Sequence, residues 1–278
     1  MDLLDQFVNS IWAKFAALVI TTGTGYYFLK DKIKEKYRKL KSQIDPPDPD
    51  LGHDSPLSKF ANDRREIKEV LKIRESFFGS DTITPDATYY NCWRQNADSF
   101  KLVLDRRRRP IGYWGMVPTN RDTYDLFLEN VLTHSQILNT RVLTWAEAAR
   151  HGCYLYIIGA VVPYSAVWLP QSAKTNKVRS AYVINDIICF SDEITSNLEI
   201  KGIFGYPSQD GGLSVLNKFG FQKNGKCISN DPKQPICFVP PEQVGNFIAK
   251  AKYYQERIGR YTPVWNRFDR DRFIKNLS

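Results

Sequence analysis

The stretch at residues 154–163, YLYIIGAVVP, decides how the rest of the chain is organised. It carries no charge, it is rich in β-branched and aromatic side chains, and it stops at Pro163. A short apolar run of this kind, ended by a proline, is typical of a strand that is covered on both faces. The sequence therefore predicts a central, fully buried strand at this position.

Strands and helices are predicted on both sides of this strand. We predict helices at residues 57–78, 121–131, 174–191, 211–219 and 241–257, and strands at residues 87–93, 100–104, 111–117, 154–162, 200–206 and 236–239. Gly79 and Gly220 each follow a predicted helix, where glycine commonly allows the chain to turn away. The pattern predicts a mixed α/β domain of about 165 residues, which is the size of a single domain.

The composition is that of a packed globular chain and excludes a wholly disordered one. Of the 278 residues, 42% are hydrophobic and 25% are charged. The five cysteines are widely spaced without a CxxC pair, and none of the three histidines stands at ligand spacing from a cysteine. We therefore expect no zinc site, and we expect reduced thiols in a cytosolic domain.

Positive charge is concentrated in two short clusters. The net charge is +9, and residues 30–41 (KDKIKEKYRKLK) supply +5 of it, from seven basic and two acidic residues. Because this cluster follows an apolar segment, it favours a membrane surface, and we expect no nucleic-acid partner. Four arginines at residues 106–109 form the second cluster, in a predicted hairpin turn. They are either a solvated tip or a contact for anionic lipid or nucleic acid.

The N-terminal segment predicts a membrane anchor. Residues 15–29 carry no charge, and an extended helix over residues 3–29 contains Lys14 as its single charge after Gln6. Such a helix is long enough to span a bilayer core of about 30 Å. Because basic residues follow the span, the positive-inside rule leaves the remainder of the chain in the cytoplasm. The alternatives are an interfacial amphipathic helix and a packed core helix.

These observations divide the chain into four predicted parts. They are an anchor helix with its basic juxtamembrane segment at residues 1–41, a Pro/Asp-rich linker at 42–56, an α/β domain at 57–240, and a C-terminal helical extension at 241–278. The linker holds too many prolines and aspartates to bury a core of its own.

Three pieces of the predicted domain resemble a known family. Residues 100–113 (FKLVLDRRRRPIGY) are similar to a hairpin that ends in a hydrophobic-Gly-Tyr strand, and residues 154–163 are similar to a fourth strand that ends in Val-Val-Pro. Residues 200–221 (IKGIFGYPSQDGGLSVLNKFGF) are similar to a strand, a turn and a helix that closes in Gly-Phe. Over residues 80–240 the chain resembles the GNAT (Gcn5-related N-acetyltransferase) fold.

The resemblance implies a cofactor site along the fourth strand. In the GNAT family a bulge in the fourth strand splays it from the fifth, and the freed backbone binds the pantetheine arm of acetyl-CoA or another acyl-CoA. A backbone N–H there also holds the thioester carbonyl. Gly159 is either the bulge residue or a glycine that permits close helix packing. The implied strand residues are Ile158, Gly159, Ala160, Val161 and Val162.

The phosphate-binding loop of the family has no clear counterpart here. The family has Q/R-x-x-G-x-G/A before the next helix, where backbone amides hold the pyrophosphate. The nearest match begins at Gln171 and contains no glycine, with Lys174 in place of the first one. A helix that starts near Thr175 and Asn176 still offers amides and positive charge. The alternative is an ordinary basic loop.

The catalytic tyrosine of many family members is also missing, because Leu216 occupies its position. In the family this tyrosine donates a proton to the leaving thiolate. The resemblance implies that Tyr206 or Tyr164 takes this role here, unless both are packed aromatics. Nothing in the sequence ranks the acidic residues as a general base. The candidates are Asp186, Glu193, Glu199 and Asp210.

Three classes of function remain open at this point. The chain is predicted to be a membrane-tethered GNAT-like acyltransferase that moves an acyl group, such as acetyl, from coenzyme A to an unidentified amine. The alternatives are a catalytically inactive GNAT-like module that binds or senses at the cytoplasmic membrane face, and a membrane-active structural protein.

Overall fold

The computed structural model describes residues 56–78, 84–105, 108–162, 173–207, 210–228, 231–258 and 263–277. They belong to one compact unit, Asp50–Ser278. The predicted anchor, most of the predicted linker, Tyr164 and Gln171 lie outside the described residues. None of the helices in this described part has the length and apolar character needed to span a bilayer.

The fold is the predicted mixed α/β arrangement, and its central sheet has eight strands. The strands are β1 (Leu57–Phe60), β2 (Phe100–Leu104), β3 (Pro110–Thr119), β4 (Cys153–Val161), β5 (Ile200–Gly205), β6 (Gln222–Cys227), β7 (Pro235–Val239) and β8 (Val264–Trp265). Their order in the sheet is β6-β7-β5-β4-β3-β2-β1-β8. The pairs β4–β5 and β1–β8 are parallel, and the other neighbouring pairs are antiparallel.

Helices cover both faces of this sheet. They are α1 (Arg64–Phe78), α2 (Asp86–Gln95), α3 (Arg121–Leu128), α4 (His134–Thr140), α5 (Trp145–His151), α6 (Ala173–Asn197), α7 (Asp210–Phe219), α8 (Val244–Ile258) and α9 (Arg267–Leu277). The core on one face takes buried residues from α1 to α4, and the core on the other face takes them from α5, α6, α8 and α9. The central strand β4 is therefore buried on both sides, as its apolar run predicts.

Two predicted elements are wrong. Residues 57–60, predicted as the start of a helix, form strand β1, in which half-buried and buried side chains alternate with a period of two. Residues 87–93, predicted as a short strand, lie in helix α2. The buried residues of that helix, Thr88, Tyr89 and Cys92, recur at helical spacing.

The C-terminal residues, predicted as an extension, take part in the sheet and in its core. Strand β8 pairs with β1, so that Val264 lies opposite Leu57. Helix α9 then returns to the sheet, and its Phe273 is completely buried against Phe60 and Trp145. Residues 263–277 thus pack with the same core as the predicted domain.

A buried ion pair joins the sheet to helix α6. The Nζ of Lys101 lies 3.1 Å from Oδ1 of Asp186, and both side chains are almost completely buried. The other carboxylate oxygen of Asp186 accepts hydrogen bonds from Ser58 Oγ at 2.7 Å and from Trp114 Nε1 at 2.6 Å. Burial lowers the pKa of Lys101 from its ordinary value, and the carboxylate of Asp186 opposes that shift.

Removing one member of this pair is expected to leave an uncompensated buried charge. We expect Lys101→Met and Asp186→Asn each to lower the free energy of unfolding by about 3–5 kcal/mol. The double variant should lose clearly less than the sum, because neither charge is then left alone. Chemical denaturation of the four proteins measures this coupling.

The matched control is the exposed pair on α3, in which Arg121 and Asp125 are 77% and 52% exposed. Arg121→Met should cost less than about 1 kcal/mol, because water screens that pair. Additive losses in the Lys101 and Asp186 cycle would contradict the assignment of an energetically coupled buried pair.

Candidate functional site

Strand β4 carries a bulge near its C-terminal end. Gly115 of β3 lies opposite Gly159, but the next residue, Met116, lies opposite Ile157. Ile158 is therefore an extra residue in β4, and the bulge is one position before the glycine that the sequence singles out. A bulge of this kind bends the strand and interrupts its pairing.

Beyond the bulge, β4 separates from β5. The parallel register of the two strands ends at Tyr156 opposite Phe204. The strands are still close at Gly205, where an added Cβ would lie 3.3 Å from Cβ of Ile157. From Ile158 onward, β4 has no partner in β5 among the described residues. The pairing of the two strands therefore ends at the bulge, where the GNAT resemblance predicts that they splay apart.

The backbone at Gly159 has few close neighbours among the described residues. Of these residues, a Cβ placed on Gly159 would meet only the hydroxyl of Tyr113, at 3.9 Å. A Cβ at Gly112, in contrast, would lie 2.6 Å from Val183 of α6. Close packing of a helix therefore explains why position 112 is a glycine, but it does not explain the glycine at position 159. The free strand edge and the open space beside Gly159 fit the extended arm of a coenzyme A thioester.

The predicted phosphate contacts are only partly described. Helix α6 begins at Ala173, so that Lys174, Thr175 and Asn176 lie in its first turn. This agrees with a helix start near Thr175. The structure gives the helical backbone of these three residues but not their side chains, and their predicted role in cofactor binding stays a prediction.

Tyr206 stands directly after β5, beside the point where the two strands separate. It is half-buried, and its ring centroid lies 6.1 Å from that of His134. Burial raises the pKa of Tyr206, while the nearby positive charge of Arg74 opposes the shift. The phenol therefore keeps its proton at neutral pH, which suits a proton donor.

A buried hydrogen-bonded cluster lies next to Tyr206 on the face covered by α1 to α4. His134 accepts or donates a hydrogen bond at each ring nitrogen, with Tyr156 Oη 2.6 Å from Nδ1 and Tyr89 Oη 3.3 Å from Nε2. The guanidinium of Arg74 lies over the ring of Tyr89, 4.5 Å from its centroid. Sequence reasoning missed this cluster because its residues come from four separate elements.

His134 is positioned by the start of α4. Thr133 and Gln136 form a capping box, in which each side chain bonds the backbone of the other residue, and His134 is the first residue of the helix. Burial, followed by the charge of Arg74, lowers the pKa of His134 from 6.5 to about 4. The imidazole is therefore neutral at pH 7.

The acidic residues that the sequence left unranked do not gather at the splay. Asp186 belongs to the buried ion pair on the opposite face. Glu193 binds Arg270, and Glu199 precedes the first residue of β5, at the end away from the splay. For Asp210 the structure gives only its place at the start of α7. Leu216 packs against the core.

Metal chemistry has no support among the residues that the structure describes. No group of three His, Cys, Asp or Glu side chains there is arranged to hold a metal ion. The five cysteines are free thiols, and burial raises the pKa of Cys92 and Cys153 to about 12. The thiols of Cys92 and Cys153 are therefore protonated at neutral pH and unsuited to nucleophilic attack.

Comparisons with known proteins give a partial overlap with acyltransferases. No family model matches the chain. No curated protein matches it either. Among solved structures, FeeM, an N-acyl amino acid synthase from uncultured soil microbes, is 9% identical, with a TM-score of 0.44 over 69% of this chain and 98% of its own.

Two further solved structures overlap to a similar extent. The AHL synthase LasI is 9% identical, with a TM-score of 0.41 over 69% of this chain and 95% of its own. A structure described as histone acetyltransferase HPA2 and related acetyltransferase, from Corynebacterium glutamicum, is 12% identical. Its TM-score is 0.38 over 67% of this chain and 97% of its own. Because these scores are below 0.5, the GNAT resemblance rests on the sequence motifs and on the bulge in β4.

The buried imidazole predicts a specific pH dependence of stability. In the unfolded chain His134 takes up a proton below its ordinary pKa of 6.5, and in the folded chain only near pH 4. The contribution of the neutral His134 to the free energy of unfolding is therefore fully present above pH 6.5. It falls as pH drops towards 4, by about 1.4 kcal/mol per pH unit.

The measurement compares the free energy of unfolding of the unaltered chain and of His134→Asn between pH 7 and pH 4. The difference between the two proteins should shrink as pH falls, since the variant lacks this titration. A difference that stays constant over that range would show that His134 titrates alike in both states.

Proposed function

We propose that the chain is a membrane-tethered N-acyltransferase that moves an acyl group, such as acetyl, from coenzyme A to an amine. The observation that carries this proposal is the free backbone of β4 after the bulge at Ile158, with open space beside Gly159. A strand edge without a partner offers hydrogen-bond donors and acceptors to an extended ligand. The proposed contacts for the arm of the thioester are Ile158, Gly159, Ala160, Val161 and Val162.

The proposed role of this strand edge is to stabilise charge on the acyl carbonyl. When bound, acyl-coenzyme A would supply the activated thioester, and the chain supplies a preorganised backbone N–H on β4 to the carbonyl oxygen. Such a donor is effective because it is held in place before the amine attacks. The start of α6, with Lys174, Thr175 and Asn176, is the proposed site for the pyrophosphate.

The polar groups beside the splay favour a neutral amine. The charge of Arg74 acts on both Tyr206 and His134, and the guanidinium also pairs with Asp86 at 3.2 Å. A cation at this place lowers the pKa of a bound ammonium group, which then loses its proton more readily. Tyr206, which keeps its own proton, is the proposed donor to the leaving thiolate.

Substitution of Gly159 tests the cofactor site. Gly159→Val adds bulk beside β4, where the added Cβ meets no described residue closer than 3.9 Å, so it should weaken acetyl-CoA binding by at least about tenfold while the protein stays folded. The control is Gly245→Val on α8, where an added Cβ meets none of the described residues within 4 Å. Calorimetric titration with acetyl-CoA measures both variants.

Equal affinity in the unaltered chain and in Gly159→Val would contradict the proposed path of the ligand along β4. Binding of coenzyme A without acyl transfer to any amine of a broad panel would instead favour the inactive binding module.

Tyr206→Phe tests the proton donor. If Tyr206 protonates the leaving thiolate, this variant should lower kcat by about 10²-fold or more and leave the affinity for acetyl-CoA unchanged. The control is Tyr124→Phe, since Tyr124 is buried against Tyr154 and Phe204 without a proposed role. A kcat that is unchanged in Tyr206→Phe would remove Tyr206 from the mechanism.

A further inference from the structure

The side chain of Tyr113 on β3 extends to the glycine of β4. Tyr113 lies opposite Val161 in the register of the two strands, and its side chain is 1% exposed. Gly159 is two residues before Val161, so it is on the same face of the sheet, the face covered by α1 to α4. The hydroxyl of Tyr113 lies 3.9 Å from the place that a Cβ on Gly159 would take.

The hydroxyl of Tyr113 makes no hydrogen bond with any residue that the structure describes. The same is true of Tyr206. Tyr89 and Tyr156, which lie in the same cluster, both bond the ring of His134. A buried hydroxyl without a partner is unfavourable, and native proteins rarely keep one without a reason. Two hydroxyls of this cluster are therefore left for a ligand.

The backbone beside the Tyr113 hydroxyl is accessible. Gly159 is half-buried, and Ala160, the next residue of β4, is exposed. Within the described part of the chain, the pairing of β4 with β5 ends at Tyr156. A ligand that binds along this strand edge can therefore reach the hydroxyl of Tyr113 from the side of Gly159.

The phenol of Tyr113 is a hydrogen-bond donor at neutral pH. Burial raises its pKa well above the ordinary value, and the neighbouring Tyr89 adds to that shift, whereas the positive charge of Arg74 opposes it. The hydroxyl therefore keeps its proton. The charge of Arg74 also favours negative charge on an atom bound at this place. Both effects suit an acceptor oxygen that becomes negative during a reaction.

We propose that the hydroxyl of Tyr113 donates a hydrogen bond to the carbonyl oxygen of the acyl thioester and stabilises the negative charge that this oxygen gains when the amine attacks. Tyr113 is assigned to the carbonyl because its hydroxyl lies beside Gly159, on the strand proposed to bind that group. It acts together with the backbone N–H of β4, and its buried ring holds the donor in place before the reaction. This inference rests on the proposed acyltransferase function and adds a catalytic residue to it.

The two unbonded tyrosines then have different roles in a balanced reaction. The neutral amine forms the C–N bond, and the π electrons of the carbonyl group move to the oxygen that Tyr113 holds. When the C=O bond forms again and the C–S bond breaks, Tyr206 gives its proton to the sulfur. Tyr206 then takes up the proton that the nitrogen releases, which leaves an amide and a free thiol. Tyr113 keeps its own proton throughout.

The experiment measures the carbonyl group directly. Acetyl-CoA labelled with a heavy carbon isotope at its carbonyl is bound to the full chain, and its stretching band is found by difference infrared spectroscopy. A hydrogen bond lowers the frequency of this band. We expect a lower frequency in the unaltered chain than in Tyr113→Phe, which lacks only the hydroxyl.

The kinetic readout uses the primary amine that the unaltered chain acetylates fastest. Tyr113→Phe should lower kcat by about 10²–10³-fold, as expected for loss of one donor to the carbonyl oxygen, and should change the affinity for acetyl-CoA much less. The matched control is Tyr206→Phe. It should also lower kcat but leave the carbonyl frequency unchanged, because Tyr206 is assigned to the sulfur.

Thermal unfolding of the free protein gives a readout that does not depend on a ligand. Tyr113→Phe should raise the unfolding midpoint by about 2–4 °C, since it removes a buried hydroxyl without a described partner. Tyr156→Phe, the same change in the same cluster, should lower the midpoint, because His134 then loses a hydrogen bond.

Three outcomes would overturn the role of Tyr113. They are an equal carbonyl frequency in the unaltered chain and in Tyr113→Phe, an unchanged kcat in that variant, and a lower unfolding midpoint, which would show that the hydroxyl serves the fold. Each of these leaves the proposed acyltransferase standing.

Failure of the proposed function gives a different result. If the unaltered chain does not bind acetyl-CoA, the acyltransferase and the role of Tyr113 both fail. If it binds acetyl-CoA but acetylates no amine, the infrared band still decides whether Tyr113 holds the carbonyl group.

Discussion

The contact between Lys101 and Asp186 holds the sheet and its largest helix in one arrangement. Asp186 lies on α6, Lys101 on β2, and the two donors to the same carboxylate, Ser58 and Trp114, lie on β1 and β3. The Nζ of Lys101 also lies 3.9 Å from the ring centroid of Trp265 on β8. A buried charge requires complete compensation, so these five elements have little freedom to shift against one another.

The position of α6 has a consequence for the proposed active site. Val183 of α6 packs on the bare backbone of Gly112, which lies beside Val161 at the end of β4. With α6 held in this way, the pairing of β4 with β5 ends at the bulge at Ile158 beside a fixed helix. Rigid elements on both sides of a gap give the preorganised backbone that carbonyl stabilisation requires.

The two faces of the sheet differ in their electrostatics. On the α6 face, the charges of Lys101 and Asp186 compensate each other within the core. On the face covered by α1 to α4, burial keeps His134 and Tyr206 uncharged at neutral pH, and Arg74 is the main charge that acts on them. The neutral cluster adjoins the splay and the ion pair does not, which separates groups suited to chemistry from groups that hold the fold.

The amino-acid sequence by itself determined the central strand, the mixed α/β class, and the strand and helix that lead to Gly220, because apolar periodicity and turn residues act locally. Strand β1 and helix α2 were assigned wrongly, since residues 57–60 and 87–93 are short and only sheet pairing and burial decide between their alternatives. Helices α4 and α5, each of seven residues, were missed for the same reason.

For the proposed site, the sequence singled out Gly159 and Tyr206, because a glycine in a buried strand and a tyrosine after a strand are visible locally. Only the tertiary structure decided that Ile158 is the extra residue, since a bulge is defined by the register of two strands. The same holds for the cluster of Arg74, Tyr89 and His134, whose residues are distant in sequence. Long-range pairing alone brings such groups together, and no local pattern encodes it.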